Sequence, residues 1–214
     1  MLKIFEDKKI LLAYYGGSTA YGTKTNQSDK DIIIVLEDFN GSLHLTKTEE
    51  NIEYFVFCKK SFIEKMEFSD NLTPYFKIFN DDILSEQEPI YLDESFIDTF
   101  EKYKNRDFSE YIKKYLDAVI KYYDLFLEED KLRKNMYHLY RIEEQLKRYF
   151  ETGEFVLNIS DEVLEKIMIL KNNFESDNED IINELRLILV YLKGVRKDVN
   201  NWSSINNHIC SWNN

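Results

Sequence analysis

The 214-residue chain has little of what stops or staples a backbone: 2 Pro, 6 Gly and 2 Cys. With so few prolines and glycines, and with 43% hydrophobic and 32% charged residues, a long disordered tail or low-complexity linker is excluded and a real core is expected. The cysteines, Cys58 and Cys210, have no metal-ligand spacing, which excludes a zinc module or a disulfide scaffold; Cys58 lies in an apolar run and reads as a buried thiol. No apolar run approaches the roughly 18 residues of a membrane span, and no signal peptide or lipidation motif is evident. The chain is therefore expected to be cytoplasmic, with no membrane partner. Positive charge is also short, at 28 Lys/Arg against 40 Asp/Glu, and the resulting net charge of −12 argues against a general nucleic-acid coat.

The charge is uneven. Residues 1–100 carry 10 Lys/Arg against 19 Asp/Glu, residues 101–150 carry 12 against 10, and residues 151–214 carry 6 against 11. Only the middle segment is net positive, and it is the segment most open to a phosphate or an RNA; an ordinary solvated helical surface accounts for it equally well. The length suits one compact unit, or a small catalytic domain with a helical partner.

Strand-like runs dominate the first part. Lys9–Tyr15 reads as a buried strand, Asp31–Leu36 as a second and Asn51–Cys58 as a third. Asp38–Ser42 is a turn cluster, and Ser61 with Glu64 reads as the capping box of a helix through Phe68. Between the first two strands, Gly16-Gly17-Ser18 lets the backbone turn tightly, brings N–H groups near a phosphate and adds a hydroxyl donor. The next loop ends in Ser28-Asp29-Lys30-Asp31, which enters the apolar run. Alternate strand residues point the same way, so Asp29 and Asp31 can face one site. Two converging carboxylates repel unless a cation lies between them, and Mg²⁺ (or Mn²⁺) takes oxygen ligands of this kind, usually with a substrate phosphate. Glu53, the polar interruption of the third strand, joins the pair if that strand lies beside the one carrying Asp31.

Gly17-Ser18, Ala20-Tyr21-Gly22-Thr23 and Ser28-Asp29-Lys30-Asp31 together resemble the glycine-serine and double-aspartate signature of the DNA polymerase β-like nucleotidyltransferase superfamily. The spelling is most similar to predicted nucleotidyltransferases associated with RNA ligases and RNA repair in bacteria and phages. The resemblance implies an α/β (α+β) fold, with a short mixed sheet packed against a C-terminal α-helical half. It also implies an NTP substrate, a Mg²⁺ cofactor, and transfer of a nucleoside monophosphate to an acceptor hydroxyl, such as an RNA end, with release of pyrophosphate. Asp29, Asp31 and Glu53 would be the catalytic and metal-binding carboxylates, Glu53 standing where the family usually has Asp. Gly17 and Ser18 would bind the phosphates, and Lys24 is near enough in sequence to neutralise them. The family's lysine after the third strand falls here on Ser61, with Lys60 as its substitute, and Asn71-Leu72-Thr73-Pro74 loosely echoes a Gly-Asn-Pro turn. Two other readings stay open: a protein- or small-molecule-modifying transferase, and a non-catalytic nucleotide-binding module.

From Ser95 the pattern turns helical, so the catalytic domain is expected over 1–94 and a helical domain over 95–214. Helices are expected over Phe96–Tyr103, Phe108–Leu127, Lys131–Thr152 with Gly153 as its cap, Ser160–Phe174, and Glu179–Val195, with Gly194 as a candidate cap. Trp202, Ile209 and Trp212 are candidates to tie down the tail. Tyr137-His138-Leu139-Tyr140-Arg141 and Glu151-Thr152-Gly153-Glu154 resemble the family's helix with a histidine and an arginine, which makes His138 and Arg141 candidate NTP contacts, three residues apart on one face. Arg133-x₄-His138 also fits a short pattern of helical ribonucleases, one common enough to arise by chance.

Overall fold

A computed structural model describes residues 5, 7–26, 28–38, 40, 42–47, 51–67, 88–105, 109, 112–124, 132–153, 159–172 and 178–199. At 42–47, 122–124, 132–135, 178 and 181 it describes the backbone alone. The Asn71–Pro74 turn and the tail aromatics Trp202, Ile209 and Trp212 lie outside the described residues.

The strands β1 (Ile10–Gly16), β2 (Lys30–Leu36), β3 (Ser42–Lys47), β4 (Ile52–Cys58) and β5 (Tyr91–Leu92) form one mixed sheet in the order β3-β4-β2-β1-β5. The pair β2/β4 is parallel and the other pairs are antiparallel. β-branched and aromatic residues fill β2 and β4, as a sheet with both faces covered requires. Alternation assigns their side chains to two faces. Ile32, Ile34 and Leu36 pack with Tyr54, Val56, Ala13 and Phe5 on one side. Ile33, Val35 and Phe57 pack with Leu12 and Tyr14 on the other, against the helices.

The helices are α1 (Gly17–Ala20), α2 (Lys59–Met66), α3 (Ile97–Lys104), α4 (Ile112–Asp124), α5 (Leu132–Thr152), α6 (Asp161–Asn172) and α7 (Asn178–Asp198). Helical periodicity puts Met136, Leu139, Ile142, Leu146 and Tyr149 of α5 on one buried stripe, and Leu185, Ile188, Leu189 and Leu192 of α7 on another. These stripes join Tyr115, Leu116 and Val119 of α4 and the inner face of the sheet in one apolar cluster. The first strands and the last helix thus share a core.

Several boundaries differ from the sequence reading. Ser61 does not cap α2; the Sγ of Cys58 does, accepting the Ser61 N–H at 3.3 Å, because β4 runs straight into the helix. Cys58 is accordingly half-buried, not a buried thiol, and Glu64 pairs with Lys60 at 3.8 Å instead of closing a capping box. Helix α3 is preceded by a 3₁₀ turn, Glu94–Phe96, capped by Asp93, which accepts the Ser95 N–H at 3.0 Å. Gly153 ends α5 at φ +78°, its N–H bonded to the Tyr149 carbonyl at 2.8 Å, as expected of a left-handed cap. Gly194, in contrast, lies inside α7, which continues to Asp198 because residues 195–198 keep the helical hydrogen bonds going. Strands β3 and β5 were not anticipated.

The shared core sets a mutational contrast. Leu139→Ala, at a fully buried position on α5, is expected to lower the unfolding free energy by about 2–5 kcal/mol. Leu187→Ala, at a position 70% exposed on α7, should cost less than about 0.5 kcal/mol. Urea denaturation of both variants measures the difference.

Candidate active site

The register of three strands builds the site. Gly16, the last residue of β1, pairs with Asp31 of β2, and Asp31 pairs in parallel with Glu53 of β4. Asp31 shares strand parity with Ile33 and Val35, and Glu53 with Phe55 and Phe57, so both carboxylates project from the face that the helices cover. Asp29 lies two residues before Asp31 and keeps that parity. The loop that delivers it is closed by Ser28, whose Oγ accepts the Thr25 N–H at 2.9 Å and whose N–H donates to the Thr25 carbonyl at 3.1 Å. The start of β4 is drawn alongside by the Lys30 N–H, which donates to the Asn51 carbonyl at 2.9 Å. One carboxylate oxygen from each of Asp29, Asp31 and Glu53 then falls within 4.8 Å of the others.

Gly17 presses directly on this cluster. Its φ of +57° is the left-handed conformation that favours glycine, and a Cβ there would overlap Asp31 Oδ2 and lie 2.6 Å from Asp31 Cγ. The turn that follows is tied to itself: the Tyr21 N–H donates to the Gly17 carbonyl at 3.2 Å and the Thr23 N–H to the Ser18 carbonyl at 3.0 Å. Ser18 Oγ is buried without a hydrogen-bond partner among the described residues. A buried hydroxyl in that condition costs free energy, and a bound oxyanion would satisfy it.

Helix α5 closes the site from above the sheet. Arg141 is 3% exposed, its guanidinium stacked 3.5 Å over the ring of buried Tyr21 and its Nη1 donating to Gln145 Oε1 at 3.4 Å. Tyr137, one turn earlier, has its phenol pushed up to about 12, first by burial and then by the negative charges of Asp29 and Asp31, with Arg141 opposing. Its neighbour His138 is half-buried, the two rings 4.7 Å apart. Lys171 of α6 donates to the Thr23 carbonyl at 2.6 Å and stands 5.0 Å over the Tyr137 ring.

The structure thus brings together Asp29, Asp31, Glu53, Gly17, Ser18 and Arg141, with His138 beside Tyr137. Lys24 is solvent-exposed on the loop just past Thr23. Lys60 is not brought in: it follows β4 at the end opposite Glu53, about 17 Å of strand away, exposed and paired with Glu64. Tyr21, Tyr137 and Lys171 were assigned no role from the sequence. For Lys171 no signal existed, since its partner lies 148 residues away.

Three carboxylates at the ends of two adjacent strands, beside a glycine turn with a buried hydroxyl that lacks a partner among the described residues, make an all-oxygen donor set of the kind hard cations take. Comparison with known proteins agrees: the profile of the nucleotidyltransferase domain matches residues 1–188. The chain belongs to the nucleotidyltransferase domain family. A solved nucleotidyltransferase-like protein from Exiguobacterium sibiricum 255-15 is similar at 11% identity over 89% of this chain and 71% of that one, with a TM-score of 0.29. No curated protein matches the chain. Among the described residues no helix is long and apolar enough to cross a membrane.

The divalent cation used by nucleotidyltransferases fits this chain's donors. Mg²⁺ binds carboxylate oxygens at roughly 2.1 Å, so ligands on opposite sides of one ion stand about 4 Å apart, close to the 4.8 Å within which the three oxygens already lie.

Two outcomes are expected. Gly17→Ala should destabilise the fold by at least about 2 kcal/mol, through left-handed strain and the overlap with Asp31. Gly22→Ala, at φ +68° but facing open space, should cost only the strain, about 1–2 kcal/mol. Thermal melts of both variants compare them. Because burial first, and then the charges of Asp29 and Asp31, hold the Tyr137 phenol up, Asp29→Asn should move its titration part of the way back toward ordinary tyrosine. A raised folded-state value means that this contribution to stability is intact below about pH 10 and is lost as the pH rises toward 12. Tyrosinate absorbance against pH, in the wild type and in Asp29→Asn with Tyr137→Phe as the blank, reads both effects.

Proposed function

We propose that this nucleotidyltransferase-domain chain transfers a nucleoside monophosphate from an NTP to an acceptor hydroxyl. The observation that carries the reading is the convergence of Asp29, Asp31 and Glu53 beside the Gly17 turn. Asp29 and Asp31 hold Mg²⁺, with Glu53 as a third ligand or as the base. Bound there, the cation supplies neutralisation of phosphate charge and acidification of the acceptor. The acceptor oxygen attacks the α-phosphorus in line; its bond to phosphorus forms as the bond to the β-phosphate bridging oxygen breaks, and pyrophosphate leaves. The acceptor proton passes to the Glu53 carboxylate when Glu53 is the base, and to solvent water when Glu53 is a ligand. Ser18 Oγ and the backbone N–H groups of the turn steady the departing phosphates. Arg141 and His138 face the substrate from α5, and Lys24 supplies charge at the loop. The catalytic unit is residues 1–94, and the helical half, 95–214, forms the cleft's other wall.

An RNA end is the acceptor that the resemblance to RNA-repair nucleotidyltransferases favours. The net charge of −12 favours a protein or small-molecule acceptor instead.

The test is pyrophosphate release from each of the four NTPs with Mg²⁺, with and without total RNA or total protein. Release is expected with one acceptor class and should fall by more than about a hundredfold in Asp31→Asn, since removing a direct ligand exceeds the 10–100-fold cost of disturbing its support. Tight Mg²⁺–NTP binding without release under any mixture would instead identify a nucleotide-binding module.

A further inference from the structure

Lys171 of α6 reaches the glycine turn from the helical half. Its ammonium donates to the Thr23 carbonyl at 2.6 Å, and the Thr23 N–H donates to the Ser18 carbonyl at 3.0 Å. One residue therefore separates Lys171 from the turn whose Ser18 hydroxyl is buried without a partner among the described residues. Along that turn Asp31 lies against Gly17 at the start, and Lys171 is bonded to Thr23 at the other end, the exit. A lysine ammonium is a compact point charge with three donor directions, suited to a phosphate that has no fixed orientation. An NTP whose α-phosphorus lies at the carboxylates and whose leaving end lies along the turn extends its β- and γ-phosphates toward the exit.

We propose that Lys171 is the residue that reads the β,γ end of the nucleotide, binding it beside the Ser18 turn and so distinguishing a triphosphate from a monophosphate. The assignment rests on the nucleotidyltransferase reading above. It gives α6 a function that no sequence motif announces: the α6 lysine couples the helical half to the phosphate turn.

The experiment is calorimetric titration of the full chain with Mg²⁺–NTPs and with the matching NMPs, for wild type, Lys171→Gln and Lys171→Arg. Glutamine keeps a donor for the Thr23 carbonyl and removes the charge; arginine keeps the charge. Lys171→Gln is expected to weaken NTP binding roughly tenfold or more, as loss of a charge-assisted hydrogen bond does, while NMP binding changes by less than about twofold. Lys171→Arg should recover most of the NTP affinity. Equal weakening of NTP and NMP would show that Lys171 only props the loop, and would overturn the proposal. So would wild-type NTP affinity in Lys171→Gln, with the nucleotidyltransferase reading left standing. A wild-type chain that binds no Mg²⁺–NTP would overturn both.

Discussion

The Asp31 carboxylate occupies the space into which any side chain at residue 17 would project, and that contact fixes how the two halves of the site meet. Antiparallel pairing of β1 with β2 sets Gly16 opposite Asp31, and parallel pairing of β2 with β4 sets Asp31 opposite Glu53. A slip of one residue in either register would turn a carboxylate to the other face of the sheet, where Ile32, Ile34 and Val56 pack. The register that pairs β2 with β4 therefore places Asp31 and Glu53, the acidic residues of two otherwise largely apolar strands, on one face. A largely buried carboxylate such as Asp31 is costly unless its charge is compensated. A cation held by Asp29, Asp31 and Glu53 would add to that compensation at the strand ends.

The helical half is part of the same construction. Its buried stripes on α4, α5 and α7 pack into the cluster that covers the inner face of the sheet. That packing brings one face of α5 over the carboxylates. Tyr137 and Arg141 are four residues apart, so they share that face, and the stacking of Arg141 on Tyr21 joins it to the glycine turn. Hydrogen bonds alone would position the turn loosely; a flat guanidinium on a buried ring adds a contact with defined geometry.

How much was legible in the sequence followed the range of the interactions. Gly17, Ser18, Asp29 and Asp31 lie within fifteen residues of one another, and strand alternation alone aligns the two aspartates. Glu53 needed one further assumption, that β4 lies beside β2, which the register bears out. The ends of elements were less legible. A thiol caps α2 where a serine was expected, because capping depends on where the strand stops and not only on residue type. Strand β3 has the alternation Leu43, His44, Leu45, but six residues after a turn cluster gave too short a signal. Strand β5, two residues long, is defined only by its pairing with Leu12 and Ala13. Lys60 looked like a site residue by proximity to β4, yet a strand carries its two ends far apart. Lys171 is the converse, remote in sequence and adjacent in space.

Charge shows the same difference between sequence and fold. The segment 101–150 is the only net positive part of the chain, which by itself suggests a basic surface. Arg141, one of its cations, is 3% exposed and stacked on buried Tyr21, while Lys147 and Arg148 are held by Glu143 and Glu144 at 2.8 and 3.3 Å. These three cations are therefore engaged within the fold. Within a Debye length of about 8–10 Å of the surface the net field is that of a strongly acidic protein, which repels a polyanion; farther out, salt screens it. At the site the balance is local, with Arg141 stacked on Tyr21, Lys171 over Tyr137, and three carboxylates clustered within 4.8 Å. A nucleotide that arrives with its Mg²⁺ already bound carries less negative charge through the repulsive outer field, and it brings the cation that the carboxylates need. An acidic surface of this kind would favour small, metal-neutralised polyphosphates over bare nucleic acid at the stage of encounter, before any residue of the site is touched.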